Sequence, residues 1–130
     1  MMFATTAIHA GGMVMAMQLF DWKKGRSSKR LTRIFLVSGI VIMMFLASVM
    51  EVCVWALTYL ALNAIEGFER ALYFSMVTFT TLGYGDVVLV ERWRLLSSFE
   101  AANGIIMFGW TTAIVIAAVQ RIYFKEKSDR

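Results

Sequence analysis

Proline is absent from this 130-residue chain, cysteine and histidine occur once each, and Asp, Glu, Lys and Arg together make up only 17%. Each shortage excludes something. The single cysteine, Cys53, lies inside an apolar run and makes no intrachain disulfide. With His9 as the sole histidine, no zinc-ligand, P-loop, dinucleotide-binding or catalytic-triad pattern appears, which argues against an enzyme. The scarcity of charge goes with a 59% hydrophobic content and a mean hydropathy of +0.66. A soluble domain of this size would not carry that much apolar sequence in blocks. The chain reads as a small, all-α integral membrane protein, with the lipid bilayer as its first partner. Ten Met and ten Phe suit lipid-facing or packed helices. The net charge of +4 is gathered at two places, a topology signal and not a nucleic-acid footprint.

Phe3 to Phe20 is the first apolar segment. As a helix it would be about 27 Å long, marginal for a hydrocarbon core of about 30 Å, and Thr5, Thr6, His9, Gly11, Gly12 and Gln18 dilute it. A secretory leader would carry basic residues before its apolar core, and here they come after it. A retained span over residues 1–22 is expected, ahead of an interfacial helix or a leader. Residues 23–33 hold Lys23, Lys24, Arg26, Lys29, Arg30 and Arg33, a basic loop expected on the cytoplasmic side. A voltage sensor would need arginines every third residue inside an apolar helix, which this stretch lacks. Ile34 to Leu62 is the clearest span, with Trp55 and Tyr59 placed as an outer aromatic belt. Glu51 inside it has two readings: a functional intramembrane carboxylate with a partner, or a hydrated group near the outer interface. Leu95 to Val119 is the last span. The tail 121–130, with Arg121, Lys125, Lys127 and Arg130, is placed in the cytoplasm and is too short for a ligand-binding domain. The N-terminus is then external if the first segment spans.

Between the two long spans, Phe68 to Thr80 is amphipathic and too short to cross a bilayer. Tyr73, Val77 and Thr80 share one side, and Phe74, Thr78 and Thr81 the adjacent one. A re-entrant helix with irregular backbone after it is tolerated at membrane depth only where protein or a water cavity covers it. Its C-terminal partial negative charge favours a cation. At its end comes Thr80-Thr81-Leu82-Gly83-Tyr84-Gly85-Asp86. This stretch resembles the filter of the potassium channel family, T-[TVI]-G-Y-G. In such a filter, main-chain carbonyls replace the hydration shell of K⁺. Carbonyls form successive rings only if neighbouring residues turn them toward one axis, which requires φ > 0 repeatedly, and glycine adopts it freely. Gly83 and Gly85 are expected to supply that backbone, Thr81 a hydroxyl ring, and Leu82 and Tyr84 outward braces.

From about Leu31 to Gln120 the chain is similar to a two-helix potassium channel pore, with outer helix, pore helix, filter and inner helix over a pore domain of 34–120. One filter copy implies a homotetramer. The resemblance implies K⁺ as permeant ion, bound by Thr81, Leu82, Gly83 and Tyr84, and no cofactor, nucleic acid or small-molecule substrate. It places the protein in the plasma (inner) membrane, multi-pass, with the filter mouth external. It assigns filter support to Tyr73, Phe74, Val77 and Asp86, a gating glycine to Gly104, and a small contact residue to Gly109. Ile105, Phe108, Thr112 and Ile116 would then line the cavity or lower gate. For the glycines, ordinary close packing between membrane helices is the plainer alternative.

The sequence departs from the family in several places. Tyr73-Phe74 stands where many relatives have Trp-Trp, so Phe74 has no N–H for the Tyr84 hydroxyl, while Tyr73 can still donate to Asp86. Val77 stands where some relatives have a carboxylate, and Val88-Leu89 where Tyr-Pro is usual. The added first segment resembles small three-span bacterial channel proteins. A non-conducting membrane subunit and a weakly selective cation channel are the competing functions. Finally, helix counting from the shared basic loop puts His9 and Glu51 within about a turn of each other in height. A contact between them is expected, and a paired histidine would report external pH.

Overall fold

The computed structural model of the chain describes residues 1–24 and 30–123, with the side chains of 1–18 and 31–121. Arg26 and Lys29, and Lys125, Lys127 and Arg130 of the tail, lie outside the described residues. Helix α1 covers Met2–Lys24, α2 Arg30–Ala61, α3 Phe68–Phe79 and α4 Arg94–Tyr123, with a short 3-10 turn at Glu91–Trp93 before α4. Among the described residues there is no strand. Among the described residues, two segments, Leu31–Ala61 and Glu91–Arg121, are long and apolar enough to cross a membrane. The helices overrun their apolar blocks. Lys23, Lys24, Arg30 and Arg33 stand on helical backbone, so 23–33 is not one continuous loop. Lys and Arg are good helix formers, and helix formation does not stop where hydropathy does.

Helix α2 is the hub, packing against α1, α3 and α4. Its buried positions Ile40, Met44, Ala47, Glu51, Val52, Trp55, Ala56 and Tyr59 recur at helical spacing, while Ile42, Phe45, Leu46, Met50 and Leu57 are exposed. An outer face this apolar suits lipid. The first core joins Trp55 and Tyr59 of α2 to Ala71, Phe74 and Phe79 of α3, Leu89 of the return segment and Met107 of α4. The second joins Ala16 of α1 to Ile40 and Met44 of α2 and Ile114 of α4. Gly12 lets α1 approach α2, since a Cβ there would lie 3.1 Å from the Ala47 Cβ.

One sequence expectation changes. Trp55 and Tyr59 do not form an exposed belt; they are 1% and 0% exposed, because α3 and α4 pack over that end of α2. On α3 the buried residues are Ala71, Phe74, Ser75 and Phe79, whereas Tyr73 and Thr80 are exposed. The short helix turns its small and aromatic residues, including a serine, toward its neighbours.

Candidate functional site

Loop 80–86 begins where α3 ends. The Thr80 N–H donates to the Met76 carbonyl at 3.1 Å and the Thr81 N–H to Thr78 at 2.9 Å. The Leu82 and Gly83 N–H groups both donate to the Val77 carbonyl, at 2.9 and 3.3 Å. The carbonyls of Met76, Val77 and Thr78, which the end of a helix leaves without intrahelical partners, are thereby satisfied by the amides that follow. Val77, an apolar residue where a carboxylate was conceivable, contributes through its backbone. The Thr80 hydroxyl also donates to the Met76 carbonyl at 2.7 Å.

Backbone φ is +59° at Thr81, +56° at Gly83 and +77° at Gly85; Leu82 and Tyr84 between them are not left-handed. The sign of φ therefore alternates along 81–85. The two glycines take the backbone expected of them. Thr81 does so without a glycine's freedom, an unusual position for a β-branched residue, and no sequence signal marked it.

Around the loop, Tyr73 donates its hydroxyl to Asp86 Oδ2 at 2.7 Å. That bond to Asp86 is the main cause of a raised Tyr73 pKa. Phe74 packs edge-on against Tyr59, centroids 5.1 Å apart. Leu82 and Tyr84 are 55% and 67% exposed, so within one chain neither braces anything. On α4, Ile105, Phe108, Thr112 and Ile116 form an exposed strip at helical spacing. Phe108 also meets Phe79 at the end of α3, centroids 5.7 Å apart. Gly109 faces open space, whereas Gly104 does not: a Cβ there would lie 2.0 Å from the Phe79 carbonyl oxygen. Gly104 is thus a point of contact between α4 and the C-terminal turn of α3.

A polar seam lies inside the chain, away from that strip. His9 Nδ1 is 2.8 Å from Glu51 Oε1, both side chains fully buried. His9 Nε2 is 3.1 Å from the Thr111 hydroxyl, and the Trp110 ring lies 5.2 Å from the imidazole. Glu51 therefore has a protein partner in place of water, because α1 covers it. Above it, the Asn103 side-chain N–H donates to Thr5 Oγ1 at 3.0 Å. A second carboxylate, Glu100 of α4, takes the Tyr59 hydroxyl on Oε2 at 2.6 Å and meets Ser75 Oγ through Oε1. Glu100 and Asn103 are not among the sequence-derived candidates, although the rule that singles out Glu51, a charged or polar side chain inside an apolar span, applies equally to them.

A family model described as an ion channel matches residues 49–121, more than half of the chain, from the second half of α2 through α3 and the loop to the end of α4. No curated protein and no solved structure matches the chain. With the helix order and the loop's place between α3 and α4, that match settles the family: the chain belongs to the ion channels with a two-helix, potassium-channel-type pore domain.

Proposed function

We propose that this chain is the pore-forming subunit of a K⁺-selective channel, passing K⁺ passively down its gradient through four copies of Thr81 to Gly85. The alternating left-handed backbone at Thr81, Gly83 and Gly85 carries this reading. It supports a row of carbonyls from Thr81 to Tyr84 presented to one axis, the chemistry that replaces a K⁺ hydration shell. One chain supplies one wall, and closed fourfold symmetry supplies the rest. The exposed strip Ile105, Phe108, Thr112 and Ile116 then lines the cavity and lower gate, and the C-terminus of α3 directs its partial negative charge at the entering cation. In this reading α1 is a third span with its N-terminus outside, the plasma (inner) membrane holds the assembly, and K⁺ is the permeant ion with no cofactor.

The buried His9–Glu51 contact adds a pH-responsive element to the same reading. The groups facing His9 are Glu51 from α2 and Thr111 and Trp110 from α4. One proton switches the pair between a net negative and a neutral state. K⁺ flux should therefore vary with external pH, and His9→Gln should flatten the curve. Superimposable curves for the two proteins would remove the pH role while leaving the pore intact.

The defining test is bi-ionic flux in liposomes with and without barium. Barium-blocked K⁺ flux with little Na⁺ flux is expected. Equal Na⁺ and K⁺ flux would make the protein a weakly selective cation channel, and no flux from an intact tetramer under any pH would favour a non-conducting subunit.

A further inference from the structure

We infer that Glu100 is a positioning residue for the filter: a carboxylate supplied by α4 that holds α3 in place from behind. The inference rests on the reading of 80–86 as a filter. Glu100, Ser75 and Tyr59 are each 0% exposed. Glu100 Oε2 accepts from Tyr59 on α2 at 2.6 Å, Oε1 meets Ser75 Oγ on α3, and Ser75 Oγ donates to the Val52 carbonyl on α2 at 3.0 Å. One carboxyl group thus ties the three helices of the pore domain together. A buried charge or acid with several hydrogen-bond partners is costly to disturb, because removing one partner leaves another unsatisfied in a dry site.

The contact lies where it matters for the loop. Ser75 is one turn before Phe79 on α3, and Glu100 is one turn before Gly104 on α4. The polar contact Ser75–Glu100 and the close contact Phe79–Gly104 are therefore successive rungs between the same two helices, which run in the same direction. Between them in sequence is Val77, whose carbonyl holds the Leu82 and Gly83 amides. Any slip of α3 against α4 moves Val77 and with it the backbone of 82 and 83. Val77 itself offers no side-chain hydrogen bond, so the polar support that its position lacks comes instead from α4.

The test combines flux with hydrogen exchange of the Leu82 and Gly83 amides in the full-length protein in K⁺. Glu100→Leu and Ser75→Ala should each speed that exchange by about tenfold, the scale of one lost hydrogen bond, and raise Na⁺ permeation relative to K⁺. Their double variant should be no worse than Glu100→Leu alone. Glu100→Gln, which keeps an acceptor and a donor in place, should restore both readouts most of the way. Asn103→Ala removes an equally buried polar group from the same helix and should leave the amides unchanged. If Glu100→Leu does not fold, Ser75→Ala and Tyr59→Phe carry the comparison, since each deletes a single hydroxyl. Wild-type exchange and selectivity in Ser75→Ala and in whichever Glu100 variants fold would overturn the inference, as would equal acceleration by Asn103→Ala. A wild-type protein without selective K⁺ flux would instead sink the channel reading, and the exchange measurement would still decide the clamp.

Discussion

At Gly83 the backbone angle of +56° coincides with open space where a Cβ would point, so conformation and not crowding favours glycine there. An L-residue there costs about 1–2 kcal/mol, and Gly83→Ala should therefore abolish selective K⁺ flux while the helices stay folded, as read by circular dichroism and barium-sensitive flux. Tyr73 works through a single bond. Its hydroxyl donates to Asp86, and this raises its pKa. A raised folded-state value means the bond's stabilisation is fully present below the unfolded tyrosine value of about 10 and is lost as pH rises through the higher folded value. Tyr73→Phe should remove that alkaline step from a thermal-stability profile, and an unchanged step would assign it to another group.

At the scale of elements, α3 and α4 meet at Gly104 with no room for a side chain. The atom that a Cβ at Gly104 would strike belongs to backbone, the Phe79 carbonyl, and backbone cannot swing aside as a side chain would. Gly104→Ala should destabilise the folded protein by about 1–3 kcal/mol, the usual cost of forcing a methyl group into a packed contact. Gly109→Ala, where nothing lies within 4 Å in the single chain, should leave the isolated protomer unaffected. If Gly109→Ala nevertheless weakens the tetramer on size-exclusion chromatography, that glycine serves contacts between copies. The packing role of Gly104 is visible in one conformation; a hinge role would be tested by whether Gly104→Ala alters gating in the fraction that still folds.

At the scale of the whole molecule, one chain leaves its loop 80–86 and the strip 105, 108, 112 and 116 exposed while burying two carboxylates and a histidine. That is the reverse of a soluble protein, where ionisable groups seek water. It fits a subunit whose exposed faces meet lipid or other copies. Under the proposed reading, crosslinking should trap four copies, and Ile116→Cys should allow neighbouring chains to be linked through that position; a monomer in lipid would remove the ring and with it the conduction proposal.

Most of the helical pattern and the loop were legible in the sequence because hydropathy blocks and backbone requirements are local. Long apolar runs and helical periodicity mark helices from local sequence, and glycine is favoured where a backbone turns left-handed. The expected His9–Glu51 contact came from helix counting, since rise per residue is also local. The sequence alone did not determine which side of a helix would be covered. The sequence places Trp55 and Tyr59 in an outer belt, and the packing of α3 and α4 puts them inside instead. Nor did it mark Ser75 and Glu100 as partners: they are 25 residues apart, and their meeting depends on how two helices lie against a third. Thr81 took a left-handed backbone for the same reason, because the hydrogen bonds that fold the loop onto α3 impose it. Local chemistry fixes elements; what those elements bury, and which distant groups they bring together, is a property of the assembled fold.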